Sequence, residues 1–225
     1  MRQVILDTET TGLEPKQGHR IIEIGCVEMV NRRLTNNHYH QYIQPERTVD
    51  QGAIEVHGIT NKYLADKPLF GTIVDEFLDY VRGAELVIHN APFDVGFINH
   101  ELNLLQKGYA PIEEICTITD SLQMARKQYP GQKNNLDALC RRLDIDNTQR
   151  SLHGALLDSE ILAEVYLAMT GGQTGLDLDG LGEFGGIEPV RHFSADRQPL
   201  TILKADEEEL AAHRAYLEKI GAEAW

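Results

Sequence analysis

Basic residues are scarce in this chain: 21 Lys and Arg stand against 35 Asp and Glu, a formal net charge of −14 over 225 residues. Affinity for phosphate normally comes from Lys and Arg, so this balance excludes a strong, autonomous nucleic-acid binder. Long apolar runs are also missing. No stretch is long enough to span a bilayer, and Met1-Arg2-Gln3 leads straight into an apolar strand with no signal peptide. A cytoplasmic protein with no membrane partner is the expectation. Cysteine is rare as well: Cys26, Cys116 and Cys140 are odd in number, far apart and without Cys-x-x-Cys spacing. They read as buried free thiols in a reducing compartment, which excludes a disulfide scaffold or a thiolate zinc site. The length suffices for one substantial core with chain left over for a tail.

Carboxylates are abundant, and the most informative ones come first. In Asp7-Thr8-Glu9-Thr10-Thr11-Gly12, two acids follow the short apolar run Val4-Ile5-Leu6, which reads as a buried strand. Side chains alternate along a strand, so Asp7 and Glu9 point to one face. Adjacent anions at the end of a buried strand repel each other and lose hydration, an arrangement that needs a cation. Hard oxygen donors suit Mg²⁺ or Mn²⁺ better than zinc. Taken alone, an Asp-x-Glu is better explained by a polar turn; the later acids count against that.

The pattern along the chain predicts a mixed sheet. Ile21–Val30 and Tyr39–Ile43 are further strands, with polar turns at Asn31-Arg32-Arg33 and Asn36-Asn37, so an antiparallel meander is expected. Helical periodicity then appears at Ile73–Val81, Phe93–Leu105, Asp120–Tyr129, Leu136–Leu143 and Ala155–Met169. Short apolar strands lie at Leu86–Ile88 and near Ile115–Ile118. Antiparallel strands followed by alternating helices and strands give an α/β fold with helices on both faces. After Thr170 the composition changes to a Gly-rich stretch that reads as a flexible linker. Asp206 and Glu209 have the spacing of a capping box, opening a last helix with Leu210, Leu217 and Ile220 on one stripe.

Two further acids fall on apolar helix faces. In Asn90-Ala91-Pro92-Phe93-Asp94, Pro92 suits a first helical turn, and Asp94 then shares a face with Phe97, Ile98 and Leu105. A helix-terminal acid is an equal alternative for Asp94 alone. Asp158 is in register with Leu162, Val165 and Met169. His153 lies five positions before it, and five helical steps turn a side chain by roughly 140°. Both face one site only if His153 stays on the loop before the helix, a placement that Gly154 permits.

Together Asp7, Glu9, Asp94, His153 and Asp158 resemble the DEDDh exonucleases, over about Val4 to Met169. The wording of Leu6–Gly12, Asn134–Cys140 and Leu152–Gln173 is most similar to the proofreading subunits of bacterial replicative polymerases. That resemblance implies a ribonuclease H-like five-stranded mixed sheet and hydrolysis from a 3′ end that releases 5′ mononucleotides. It implies two divalent ions, Mg²⁺ or Mn²⁺. Asp7 would bridge them, Glu9 and Asp158 would hold the one that binds the attacking water, and Asp94 would support the other. His153 would be the general base. Thr10 and Leu13 would line the terminal nucleotide, with Asn90 and His57 also on the substrate side. Relatives carry an acid five positions before that His, where this chain has Gly52, and Glu55 is a candidate replacement.

The resemblance also implies an organisation. Residues 1–170 would be the 3′–5′ exonuclease domain, 171–205 a Gly-rich linker, and 206–225 a C-terminal helix for polymerase docking. Gln173, Leu176 and Leu178 are similar to short peptides that bind the bacterial sliding clamp. The partners implied are a single-stranded or frayed 3′ end of DNA, the polymerase III alpha subunit, the sliding clamp and a small theta-like accessory subunit. An acidic nuclease gains from partners that hold its substrate. Two alternatives stand: a free-standing RNA-trimming exonuclease, and a non-catalytic polymerase scaffold. The tail argues against the first, the clustered acids against the second.

Overall fold

The apolar run Val4–Leu6 forms the middle of a central strand. In the computed structural model, which describes residues 1–150 and 152–171 and, of the tail, Asp206, Glu207, Glu209–Ala211 and His213, that strand is β1 (Arg2–Thr10). It is followed by β2 (Ile21–Val30), β3 (Arg33–Tyr42), α1 (Gln51–His57), α2 (Asn61–Leu64) and α3 (Phe70–Val81). Then come β4 (Glu85–Ile88), α4 (Ala91–Leu104), α5 (Ile112–Ile115), β5 (Thr117–Asp120), α6 (Ser121–Gln128), α7 (Leu136–Leu143) and α8 (Ala155–Thr170). The sheet order is β3-β2-β1-β4-β5. The first three strands are antiparallel, while β4 joins β1, and β5 joins β4, in parallel.

Strand alternation divides the core into two. Val4 and Leu6 of β1 face α3 and α4, among Phe70, Phe77, Phe97 and Ile98. Ile5 faces α7 and α8, among Leu139, Leu162 and Val165. Each large buried side chain contributes about 1.5–3 kcal/mol by leaving water, so both layers are held strongly. The three cysteines are buried and unpaired, as expected. Among the described residues, no helix is long and apolar enough to cross a membrane.

Three local expectations are corrected. Arg33, Asn36 and Asn37 are not turn residues: they lie within β3. The turn is only Asn31-Arg32, both at positive φ (50° and 63°), the conformation of a tight two-residue hairpin. Strand β3 is an edge with mostly exposed side chains, so asparagines cost little there. Ile115 ends helix α5 rather than starting a strand, a short apolar run being ambiguous between the two. Helices α1 and α2 fall in a segment where no element was expected.

The hairpin has a second role. Arg32 donates to Thr170 Oγ1 at 2.7 Å and to the Leu167 carbonyl at 3.0 Å, tying the end of α8 to the β2–β3 turn. In the tail, Asp206 accepts from the Glu209 N–H at 2.8 Å and Glu209 accepts from the Asp206 N–H at 3.1 Å. That is the expected capping box. The linker 172–205, including Gln173, Leu176 and Leu178, and the positions of Leu217 and Ile220 lie outside the described residues.

Candidate active site

Strand β1 delivers Asp7 and Glu9 to the face covered by α8. Asp7 pairs across the ladder with Gly25 of β2, and Gly25 is why α8 can reach it. A Cβ on Gly25 would sit 2.2 Å from both the Ala155 carbonyl carbon and the Leu156 nitrogen. The main chains of strand and helix are therefore in direct contact, and Ser159 Oγ donates to the Gly25 carbonyl at 2.9 Å. The first turn of α8 is pressed onto the sheet, and it carries Asp158. Its N–H bonds the Gly154 carbonyl at 2.8 Å.

Asp94 arrives from the other layer. Asn90 takes a left-handed conformation (φ 68°, ψ 50°) after β4, and Pro92 lies in the first turn of α4. Asp94 Oδ1 accepts from the Thr8 N–H at 3.1 Å and from Thr8 Oγ1 at 2.6 Å. The partner that an acid on an apolar stripe requires is thus supplied by β1.

His153 is exposed and lies on the loop before α8, as its spacing to Asp158 demands. Gly154 caps the helix in an extended conformation. The His153 N–H donates to the Val56 carbonyl at 3.1 Å, which hangs the loop from α1. Its Nδ1 lies 3.2 Å from Asp158 Oδ2.

These side chains line one cleft of about 770 Å³. Asp7, Glu9, Thr10, Leu13, His57, Asp94, His153 and Asp158 all face it. Asn90 does not line it; its neighbours His89 and Phe93 do. Gly52 lines it with open space around its Cα, whereas Glu55 is exposed beside Gln51 and outside the lining. Asp50 is the acid nearest in sequence that faces the cleft. His57 Nδ1 accepts from the Ile59 N–H at 2.9 Å, so its proton is on Nε2, which is buried without a partner among the described residues.

The electrostatics match the crowding. Burial, then repulsion from Asp94, Glu9 and Asp158, holds Asp7 well above the usual carboxylate range. Burial, then Asp158 and the neighbouring Glu23, pushes Glu9 up to about 8. Burial takes Asp94 up to about 7 against the hydrogen bonds from Thr8. Burial would raise Asp158 too, but the hydrogen bonds and charge of Arg150 hold it below its ordinary value.

Arg150 was not anticipated from sequence, nor was Asp137. The guanidinium of Arg150 donates from Nε to Asp158 Oδ1 at 2.5 Å and from Nη2 to Oδ2 at 2.7 Å. Nη1 donates to Asp137 Oδ1 on α7 at 2.7 Å. The available signal was charge balance: four clustered acids imply a cation nearby, and Arg150 stands three residues before His153.

The donor set fits a divalent cation. Its oxygens are hard: Glu9 and Asp158 offer carboxylate oxygens within 4.8 Å of each other, with a nitrogen of His153, the candidate base, equally close. Burial and mutual repulsion raise the carboxyls of Asp7 and Glu9, so a bound cation would be stabilised there.

Comparison with known proteins agrees. The RNase_T family, described as exonuclease, matches residues 4–166. DNA polymerase III subunit epsilon of Salmonella typhimurium is 53% identical over 226 aligned residues, covering 97% of this chain and 93% of that protein. The Escherichia coli protein of the same name is 52% identical with the same coverage. Among solved structures, exonuclease X bound to 5′-overhanging duplex DNA superposes with a TM-score of 0.59 and 26% identity, covering 75% of this chain and 91% of that one. Exonuclease I, at 16% identity and a TM-score of 0.67 over 76% of this chain and 41% of its own, shares the fold. By length matched and by identity, the chain belongs to the DNA polymerase III epsilon subunit family of exonucleases.

Proposed function

We propose that the chain removes mispaired 3′-terminal nucleotides during DNA replication, hydrolysing the last phosphodiester and releasing a 5′ mononucleotide. The observation that carries this reading is the convergence of Asp7, Glu9, Asp94, Asp158 and His153 on one cleft. Asp7, Glu9 and Asp158 would hold divalent cations, with Asp94 supporting a second site. Two such ions, Mg²⁺ or Mn²⁺, offset the negative charge that develops at phosphorus and acidify bound water. Without them the cleft's own carboxylates repel the phosphate. His153 takes the proton of the attacking water at Nε2. The departing 3′ oxygen of the shortened strand gains its proton from solvent. Thr10, Leu13 and the buried His57 Nε2–H face the terminal nucleotide.

The partnership reading follows the same line. Residues 1–170 act as the nuclease domain, 171–205 as a tether with the clamp-binding peptide Gln173–Leu178, and 206–225 as the docking element for the polymerase III alpha subunit. A theta-like accessory subunit is a further expected partner. The relatives' identity favours DNA over RNA trimming. The test is a primer–template with a labelled, mispaired 3′ end, incubated with the full chain and Mg²⁺. Mononucleotide release from the 3′ end, abolished by EDTA and by Asp7→Ala, is expected. Undiminished release from Asp7→Ala, or strong preference for RNA, would overturn the reading.

A further inference from the structure

Asp158 has both carboxylate oxygens engaged by one guanidinium, that of Arg150, at 2.5 and 2.7 Å. The same Nη2 lies 2.8 Å from His153 Nδ1. Arg150 thus contacts both a carboxylate of the cation site and the base. Only 8% of its side chain is exposed, so water screens the pair weakly. Its remaining nitrogen is held by Asp137, a residue of α7, which carries none of the metal-binding acids.

Two consequences follow from elementary chemistry. A carboxylate forked onto a guanidinium cannot give the same lone pairs to a divalent ion, so cation and Arg150 compete for Asp158. Arginine has donors and no acceptor, so Nδ1 of His153 must accept from it. In the neutral ring the proton then sits on Nε2, the nitrogen that has to receive the proton of water. The arrangement holds the site together but keeps the base in the unreactive tautomer.

From this geometry we infer that Arg150 is a positioning residue that serves as a resident counter-cation: it latches Asp158 and His153 in the metal-free enzyme and yields Asp158 when a divalent cation binds. Asp137 keeps one nitrogen throughout, so the guanidinium pivots rather than leaving. Once Nη2 withdraws, Nδ1 has Asp158 Oδ2 at 3.2 Å as acceptor for a proton, and Nε2 is released to accept one. Cation loading and base activation are then a single event. A merely structural ion pair would have no such coupling. The inference rests on the divalent-cation reading of the site.

Mn²⁺ binding to the full chain without DNA, followed by the paramagnetic resonance of the free ion, separates the two. Wild type, Arg150→Gln, Arg150→Lys and Asp158→Asn are compared. Arg150→Gln is expected to bind Mn²⁺ at least about tenfold tighter than wild type (about 1.4 kcal/mol), with Arg150→Lys in between because it keeps charge but loses the fork. Unchanged or weaker binding in Arg150→Gln, with wild type still binding more tightly than Asp158→Asn, overturns the latch alone. Wild type binding no better than Asp158→Asn overturns the cation site and the latch together. Should Arg150→Gln fold poorly, ¹⁵N-histidine NMR of the wild-type chain decides, with the His153 signal assigned by its loss in His153→Gln. The proton should move from Nε2 to Nδ1 on saturation with Mg²⁺, and an unchanged tautomer overturns the latch.

Discussion

The hydroxyl of Thr8 and the carboxylate of Asp94 lie 2.6 Å apart, with the Thr8 N–H donating to the same oxygen at 3.1 Å. One residue of β1 therefore fixes an acid that belongs to α4, across the junction of the two layers. Thr8→Val keeps the shape and removes the hydroxyl, leaving a buried carboxylate with one donor fewer. It should destabilise the fold by about 1–3 kcal/mol and lower nucleotide release by about tenfold or more. Chemical denaturation and single-turnover release measure the two effects.

The raised carboxyls give the metal-free protein a particular pH dependence. Glu9 sits at about 8 and Asp94 at about 7, whereas both would titrate near 4 in the unfolded chain. Between those limits the folded state binds more protons than the unfolded one, so stability falls as pH rises. Asp158, held low, has the opposite effect only at more acidic pH. Melting in EDTA should therefore decline from about pH 5 to about pH 8, and saturating Mg²⁺ should flatten the slope by neutralising the acids. A melting temperature that rises over this range in EDTA would contradict the crowding of Asp7, Glu9 and Asp94.

Gly25→Ala should be severe. Its Cβ would overlap the main chain of Ala155 and Leu156, and main chain cannot rotate away as a side chain can. The helix must lift, moving Asp158 off Asp7. Overpacking of this kind costs about 1–3 kcal/mol or more. Loss of Mn²⁺ binding larger than the loss of stability would locate the damage in the site.

His153 contributes through its ring, not through packing, because it is exposed. His153→Ala should cut turnover by about 10²–10⁴-fold while Mn²⁺ affinity changes little. A collapse of cation binding with normal turnover at saturating cation would make His153 a ligand instead.

The tail should separate binding from chemistry. A chain ending near Gly172 should degrade short single strands at the normal rate but fail to co-elute with the polymerase alpha subunit, since tethering offsets weak substrate affinity at a net charge of −14. Gln173→Ala with Leu176→Ala should weaken only clamp-dependent synthesis. Full alpha-subunit affinity in the truncated chain would place the interface on the nuclease domain.

Asp7 and Glu9 were legible because alternation along a strand is strict, and His153 because five helical steps forbid a shared face with Asp158. Asp94 was half legible: its burial followed from periodicity, but Thr8 as its partner did not. Arg150 was hidden because its meaning lies in tertiary contacts to Asp137 and Asp158 that no local pattern encodes. Asn36 and Asn37 misled for a related reason. An exposed edge strand tolerates turn-forming residues, and only pairing with β2 reveals that they continue the ladder.

Helix α8 begins at the cleft with Asp158 and ends where Arg32 grips Leu167 and Thr170 beside the hairpin. Its 16 residues span about 24 Å. The chain therefore leaves the nuclease at a point remote from the chemistry. At that far end the helix is fastened to the β2–β3 turn, so Asp158 and Gly171 lie towards opposite ends of one continuous element.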